Sequence, residues 1–219
     1  MNYKDWYDKS IYKTYVNALM EWSGLDEQGI RDKATTSKIF EAKFTNDITD
    51  DYEKTKELYG KLDYFAFRNP YYWRDREEQT FNHYWINYQT NPGPVLDFGC
   101  GAGVLSEYLL RKGVKDLTVS DLSGKTWDFA KFFFGDRVKY EDNVENIKGM
   151  YQLIIANDVF EHLHYPLKVL DMFKEHLLPK GRLVINIAHD IGGPHLRETI
   201  NNTGKINKRI REINNEAKN

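Results

Sequence analysis

Cysteine is almost absent: Cys100 is the only one in 219 residues. A single thiol forms no intramolecular disulfide, which excludes a bridge-stapled secreted scaffold. No apolar run approaches the ~18 residues that a membrane-spanning helix needs. The first residues, Met1 to Trp6, lack the apolar stretch of a secretory leader. A cytoplasmic protein without a membrane partner is the expectation. Charge of one sign is missing too. Lys and Arg number 31 against 33 Asp and Glu, a net charge of −2. The basic excess that usually marks a nucleic-acid partner is therefore lacking. Repeats and low-complexity tracts are absent. His162 and His164 could supply half a metal site, but no Cys or carboxylate cluster completes it, so no metal is expected. The composition that remains is 41% hydrophobic and 29% charged. That suits a packed core and excludes a disordered chain or a coiled coil.

The chain divides in two. Residues 1–90 hold 20 of the 32 aromatic residues. The composition shifts at Asn91-Pro92-Gly93-Pro94, a turn-rich boundary. Residues 1–91 read as a helical, aromatic-rich cap. Tyr7, Ile11, Tyr15, Leu19 and Trp22 mark one amphipathic helix ended by Gly24. Residues 51–66 and 73–89 suggest two more, with a turn at Asn69-Pro70.

In residues 92–219 short apolar runs alternate with amphipathic stretches. Strands are expected at Val95–Phe98, Leu117–Ser120, Val138–Tyr140, Tyr151–Ala156 and Arg182–Ile187. Helices are expected at Val104–Lys112, Trp127–Phe134 and from Pro166 to about Leu178, with a turn at Pro179-Lys180-Gly181. This alternation predicts an α/β fold with right-handed crossovers on a mostly parallel sheet. Ile206, Ile210 and Ile213 mark a solvated C-terminal helix with one apolar stripe.

The residues that carry chemistry sit at the ends of these strands. Asp97-Phe98-Gly99-Cys100-Gly101-Ala102-Gly103 closes the first strand and precedes a helix. Glycines there allow a tight turn and close approach to a ligand, and ligands of open parallel sheets bind beyond the strands' carboxyl ends. Val104 stands where a dinucleotide loop of G-x-G-x-x-G type has its third glycine, which argues against a pyrophosphate ligand and a dehydrogenase. Asp121 ends the second strand, 20 residues after Gly101. It can accept hydrogen bonds from both hydroxyls of a ribose, or act as a helix N-cap. Asp142 or Asn143, after the third strand, could bond an adenine amine, or lie in an exposed loop. Asn157-Asp158-Val159-Phe160-Glu161-His162-Leu163 ends the fourth strand, where a reacting group would meet a cofactor.

The stretches VLDFGCGAGVLSEYLL, TVSDLS, YQLIIANDVFEHL and LLPKGRLVINI resemble, in order and spacing, the class I S-adenosylmethionine-dependent methyltransferases. The Asn157–Leu163 stretch is similar to the branch that modifies small molecules. The resemblance covers about residues 92–188. It implies a Rossmann-like sheet and S-adenosylmethionine as cofactor. Gly99, Cys100, Gly101 and Gly103 would border the methionine part, with Asp97 helping to hold its amino group. It implies Asp121 and Leu122 at the ribose, Asn143, Val144 or Asp142 near the adenine, and Asn157 with Val159 beside the sulfonium. The family's sheet usually continues past the fifth strand, whereas the 31 residues after Ala188 are polar and helix-like. Either the C-terminus is shortened, or the sheet edge is covered by something else; an exposed edge would invite pairing with another copy, which makes a homodimer a candidate.

Methyl transfer to an amine or hydroxyl benefits from a general base. His189, His162 and Asp158 are the leading candidates, with Glu161 and His164 behind them. Glu161 and His162 could equally brace the following helix. Tyr71, Tyr72, Trp73 and Arg74 are the candidate substrate contacts of a lid, unless the aromatic cap simply packs on the sheet. The expected activity is methylation of a small molecule on oxygen or nitrogen. A nucleic-acid methyltransferase, which requires a basic groove, and a non-catalytic cofactor-binding partner subunit are the alternatives.

Overall fold

The computed structural model describes residues 10–36, 51–74, 76–142, 144–145, 147–188, 196 and 201–218. Helix α1 (Ile11–Ser23) starts where the Ser10 hydroxyl accepts from the Lys13 N–H and ends at Gly24 in the left-handed region (φ 72°). Both are the caps that helix ends favour, since they satisfy orphan backbone groups. The α1 face Ile11, Tyr12, Tyr15, Val16 and Leu19 is buried.

Asp26 caps α2 (Glu27–Thr35), a helix that sequence reading missed because Ile30 and Ala34 are its only apolar side chains, too few to show a period. The helix expected over 51–66 is two. Asp51 caps α3 (Tyr52–Lys61), and Leu62 then turns extended so that α4 (Tyr64–Trp73) can start. Asn69 and Pro70 are not a turn; they lie inside α4. An interior proline costs a helix about 3 kcal/mol. Burial of Tyr64, Ala66, Phe67 and Pro70 itself on that face offsets it. Helix α5 (Glu77–Thr90) completes the cap.

The core follows the expected alternation closely. Its elements are β1 (Val95–Phe98), α6 (Val104–Lys112), β2 (Leu117–Ser120), α7 (Lys125–Phe134), β3 (Lys139–Glu141), β4 (Tyr151–Asn157), α8 (Pro166–Glu175), β5 (Leu177–Asn186) and α9 (Thr203–Glu216). The strand order is β3-β2-β1-β4-β5, and every pairing is parallel. The order reverses between β1 and β4, the switch point where an open α/β sheet leaves a crevice. The four residues of β1 are all buried, as in a strand covered on both faces. One face packs against α1, α4 and α5 in a single cluster that includes Tyr15, Phe67, Phe81, Tyr84, Leu109, Phe129 and Ile155. The cap is thus part of the main core. The other face packs on α8 and α9.

Two expectations near the C-terminus change. Pro179-Lys180-Gly181 is no turn between elements but an irregularity within β5. Lys180 has φ 62°, and the pairing register shifts between Tyr151 and Leu153. The C-terminal helix is not merely solvated, because Ile206 and Ile213 are buried against the sheet side. Of the two alternatives for the sheet edge, the β5 edge is covered at its centre. Asn214 Oδ1 accepts from the Leu183 N–H (2.7 Å) and Nδ2 donates to the Leu183 carbonyl (3.0 Å), as a neighbouring strand would. The homodimer expected from an open edge loses its basis at this position.

Asn214→Leu leaves both Leu183 groups without these partners. Leu183 is only 3% exposed. Urea unfolding should show a loss of about 1–3 kcal/mol, the cost of an unsatisfied buried group. An unchanged midpoint would show that Asn214 does not seal the edge.

Candidate functional site

The cavity lies where the switch point predicts, at the carboxyl ends of β1, β2 and β4, roofed by α3 and α4. It encloses about 550 Å³, within the usual range for small-molecule sites. Phe98, Gly99 and Gly101 come from the glycine loop, and Asp121, Leu122, Gly124 and Thr126 from the β2–α7 turn. Val144 and Glu145 follow β3, and Asp158, Val159, His162, Leu163 and His164 follow β4. Tyr52, Lys56, Tyr59, Phe65 and Asn69 enter from the cap, and Tyr165, Lys168 and Met172 close the side.

The loop glycines Gly99, Gly101 and Gly103 all have positive φ (72°, 57° and 80°). The loop is tied down from two sides. The Ser120 carbonyl accepts from the Gly99 and Cys100 N–H groups (2.8 and 3.0 Å). The Tyr15 hydroxyl of α1 donates to the Ala102 carbonyl (2.9 Å).

Asp121 accepts from the Gly101 N–H through Oδ2 (2.5 Å) and from the Leu122 N–H through Oδ1 (2.7 Å). It is not a helix N-cap: Gly124 holds that position on α7. A carboxylate offers about four acceptor positions, so each oxygen keeps capacity for a further donor. Burial pushes the Asp121 carboxyl up to about 6, with the two N–H bonds opposing. Asp97 lies deeper, 2% exposed, and accepts from the Ser106 hydroxyl. Burial raises it to about 7.

Several residues named from sequence face elsewhere. Asp97, Cys100, Gly103 and Asn157 lie behind the lining. Cys100 Sγ turns to the Gly101 carbonyl, and Gly103 backs onto the Phe134 ring. Asn157 Oδ1 accepts from the Tyr84 hydroxyl (2.9 Å), and Asn186 Nδ2 donates to Asp158 (2.8 Å). Asp158 instead lines the cavity, with φ 54°, a strained conformation for a residue with a side chain. Asp142 turns outward to Trp127 Nε1 (3.0 Å) and Lys131, which holds its carboxyl below the usual range.

Tyr71, Tyr72, Trp73 and Arg74 do not line the cavity either. Tyr71 packs on Tyr12 with the Arg74 guanidinium over its ring, and Trp73 packs on Phe81. Packing on the apolar cluster claims these rings. Asn143 and His189 lie outside the described residues.

The cap contributes Tyr52, Lys56, Tyr59, Phe65 and Asn69, which sequence reading missed. Tyr52, Lys56 and Tyr59 share the i, i+4, i+7 spacing of one helix face, a signal that was available. Tyr52 donates to Glu145, and Lys56 pairs with the same carboxylate (2.9 Å), so the cap is clasped to the core at the rim. Tyr59 Oη meets His162 Nδ1 at 3.1 Å. Among the described residues no cluster of His, Cys, Asp and Glu could hold a metal ion, and no helix is long and apolar enough to cross a membrane.

The donor and acceptor set fits a nucleoside with a charged tail. The glycine loop and Asp121 suit its polar middle, and Leu122, Val144, Val159 and Leu163 offer apolar walls for a planar base.

The chain is 30% identical over 101 residues to the mitochondrial ubiquinone biosynthesis O-methyltransferase of Schizosaccharomyces pombe, a match covering 42% of this chain and 36% of that one. It is 33% identical over 73 residues to the ribosomal RNA small subunit methyltransferase C of Alcanivorax borkumensis, covering 32% and 22%. The chain thus spans well under half the length of these curated relatives. The crystal structure of Streptomyces venezuelae DesVI aligns with a TM-score of 0.48 at 16% identity, over 58% of each chain. The profile of a family described as a methyltransferase domain matches residues 67–206. That span runs from α4 through the glycine loop and every strand into α9, and the chain belongs to this methyltransferase family.

Proposed function

We propose that this chain binds S-adenosylmethionine at the glycine loop and transfers its methyl group to oxygen or nitrogen of a small-molecule acceptor enclosed under the cap. The observation that carries this reading is Asp121, held by two backbone N–H groups at the mouth of a cavity of about 550 Å³. When bound, the cofactor supplies an activated methyl group on sulfur. Asp121 then accepts from the ribose hydroxyls, while Leu122, Val144, Val159 and Leu163 hold the base. The cap and the strand ends keep the acceptor close and aligned. Alignment of this kind is worth up to ~7–11 kcal/mol of barrier. In this reading Asp158 and His162, which line the cavity, are the candidate bases for the acceptor's proton.

Calorimetric titration with S-adenosylhomocysteine, followed by label transfer from methyl-labelled S-adenosylmethionine to a panel of phenols, alcohols and amines, tests the proposal. Micromolar product binding and label on a small acceptor are expected. Binding without transfer to any acceptor would favour a cofactor-binding partner subunit instead. A second reading rests on the relative named for ribosomal RNA; label appearing on ribosomal RNA alone in the same assay would replace the small-molecule acceptor.

Binding should depend on pH with a definite sign. The raised Asp121 carboxyl carries its proton below about 6 and loses acceptor capacity there. Affinity for S-adenosylhomocysteine should fall as pH drops below that point, toward the level of the neutral Asp121→Asn variant, and level off above it. Stability of the free chain should run the other way. The folded pKa values of Asp97 and Asp121 are raised, so their contribution favours the native state at low pH. It is fully present below the ordinary carboxyl value of 3.8, is lost as pH rises from there, and is gone above about 6 to 7. Affinity measured from pH 5 to 8 and flat throughout would show that Asp121 does not bind the hydroxyls as a carboxylate.

A further inference from the structure

We propose that Tyr59 and His162 form a two-residue proton relay, completed only when the cap helix α3 is seated, through which the acceptor's proton leaves. This deepens the proposed function and rests on it. The two residues come from different parts of the chain, 103 positions apart, and both line the cavity. Their polar atoms meet at hydrogen-bond distance, Oη to Nδ1 at 3.1 Å. The rings lie edge to face at 69°, with Phe65 stacked on the other side of Tyr59 at 14°. Packing therefore fixes the phenol's direction toward the imidazole.

The phenol's protonation state follows from its surroundings. Burial, with Glu161 and Asp121 nearby, keeps the Tyr59 phenol protonated far above its ordinary range. The relay requires this phenol to donate to Nδ1, which places the imidazole's hydrogen on Nε2. The other charged groups around the cavity are Asp158 after β4, Lys56 and Glu53 on α3, Glu145 after β3 and Lys168 on α8.

In the transfer step the acceptor's lone pair forms the bond to the methyl carbon. The electron pair of the breaking carbon–sulfur bond stays on sulfur, which becomes neutral. The acceptor's hydrogen passes as a proton to Tyr59 Oη while the phenol's own proton passes to His162 Nδ1. One positive charge disappears from sulfur and one appears on the imidazolium; once product leaves, Nδ1 returns its proton to Tyr59 Oη while the phenol's proton passes to water, which restores the Nε2–H tautomer. No phenolate is formed. The acceptor class is one that must lose a proton, a hydroxyl or an amine, rather than a carboxylate or thiolate that attacks as an anion.

The relay depends on the seat of α3. Gly60 on α3 approaches Gly124 at the start of α7 so closely that a Cβ on Gly124 would lie 2.4 Å from the Gly60 carbonyl oxygen. The atoms that this Cβ meets are backbone atoms of Gly60, so Gly124→Ala must move α3 and the start of α7 apart, and Tyr59 with α3.

The test has an arm that needs no acceptor. Long-range nitrogen–proton NMR of the S-adenosylhomocysteine complex should show His162 protonated on Nε2 in the wild type, with that preference lost in Tyr59→Phe and in Gly124→Ala. In turnover with the best acceptor of the panel, Tyr59→Phe should lower kcat about 100-fold, the low end for proton-transfer catalysis. Its affinity for S-adenosylhomocysteine and its melting temperature should stay near wild type. The double variant with His162→Gln should lose no more than His162→Gln alone, since members of one relay are not additive. An Nδ1-protonated wild type, additive losses, or a Tyr59→Phe rate within about threefold of wild type would each overturn the relay while leaving cofactor binding intact. Absence of S-adenosylhomocysteine binding by the wild type would overturn the proposed function itself.

Discussion

Asp121→Ala should abolish measurable binding of S-adenosylhomocysteine to a chain that still folds. In the proposed complex the carboxylate accepts from two ribose hydroxyls. A hydrogen bond to a charged group contributes about 1.5–3 kcal/mol, so losing two lowers affinity by about 100-fold or more. The backbone cost is smaller. The Gly101 and Leu122 N–H groups lose their acceptor, but they border the cavity, where water replaces it. Asp121→Asn keeps the shape and one acceptor oxygen, so it should fall between the two and lose the pH dependence below about 6. Calorimetry on all three proteins, with melting temperatures alongside, decides. Retained affinity in Asp121→Ala would remove the observation on which the proposed function stands.

Gly103→Ala should be the most destabilising single methyl in the glycine loop. Gly103 has φ 80°, a region that costs a residue with a side chain about 1–2 kcal/mol. A Cβ there would also lie 2.2 Å from Cε2 of Phe134. Phe134 is 1% exposed, packed edge-on against Phe133 and under the Arg137 guanidinium, so it has no room to give. Overpacking of this kind adds about 1–3 kcal/mol. The sum, about 2–5 kcal/mol, is a large part of the ~5–15 kcal/mol that holds a typical domain folded. Gly113→Ala is the internal control. Its φ is 103°, yet nothing lies within 4 Å of the added atom, so it should show the backbone cost alone. Urea unfolding of the two variants should separate them by at least 1 kcal/mol, the lower end of the overpacking cost. Equal losses would mean that the Phe134 contact is not real.

The parts of the site that were legible from residues are those set by local patterns. The glycine loop, Asp121 and the Asn157–His162 stretch each follow a strand, and a parallel sheet gathers strand ends on one side. Their order along the chain therefore located the cavity's floor. The cap's contribution was not legible in the same way. Tyr71 to Arg74 and Tyr52 to Tyr59 are both aromatic stretches of the cap. Only the packing of α4 against α1 and α2 shows that the first faces the core and the second faces the cavity. Asp142 and Val144 stand two residues apart after β3, yet Lys131 and Trp127 draw the first outward and leave the second as a wall.

The same division holds for the chain as a whole. The alternation of strands and helices, the caps at Ser10, Gly24 and Gly113, and the binding side of the sheet are written in short windows, because each depends on backbone preferences and period alone. Proline inside α4, the split between α3 and α4, and the strand-like use of Asn214 along β5 depend on partners 30 or more residues away. Burial against those distant partners outweighs local propensity by more than any short window carries. The pairing of Tyr59 with His162 is of this second kind: 103 residues separate them in the chain, and only the packing of α3 over the strand ends brings them to 3.1 Å.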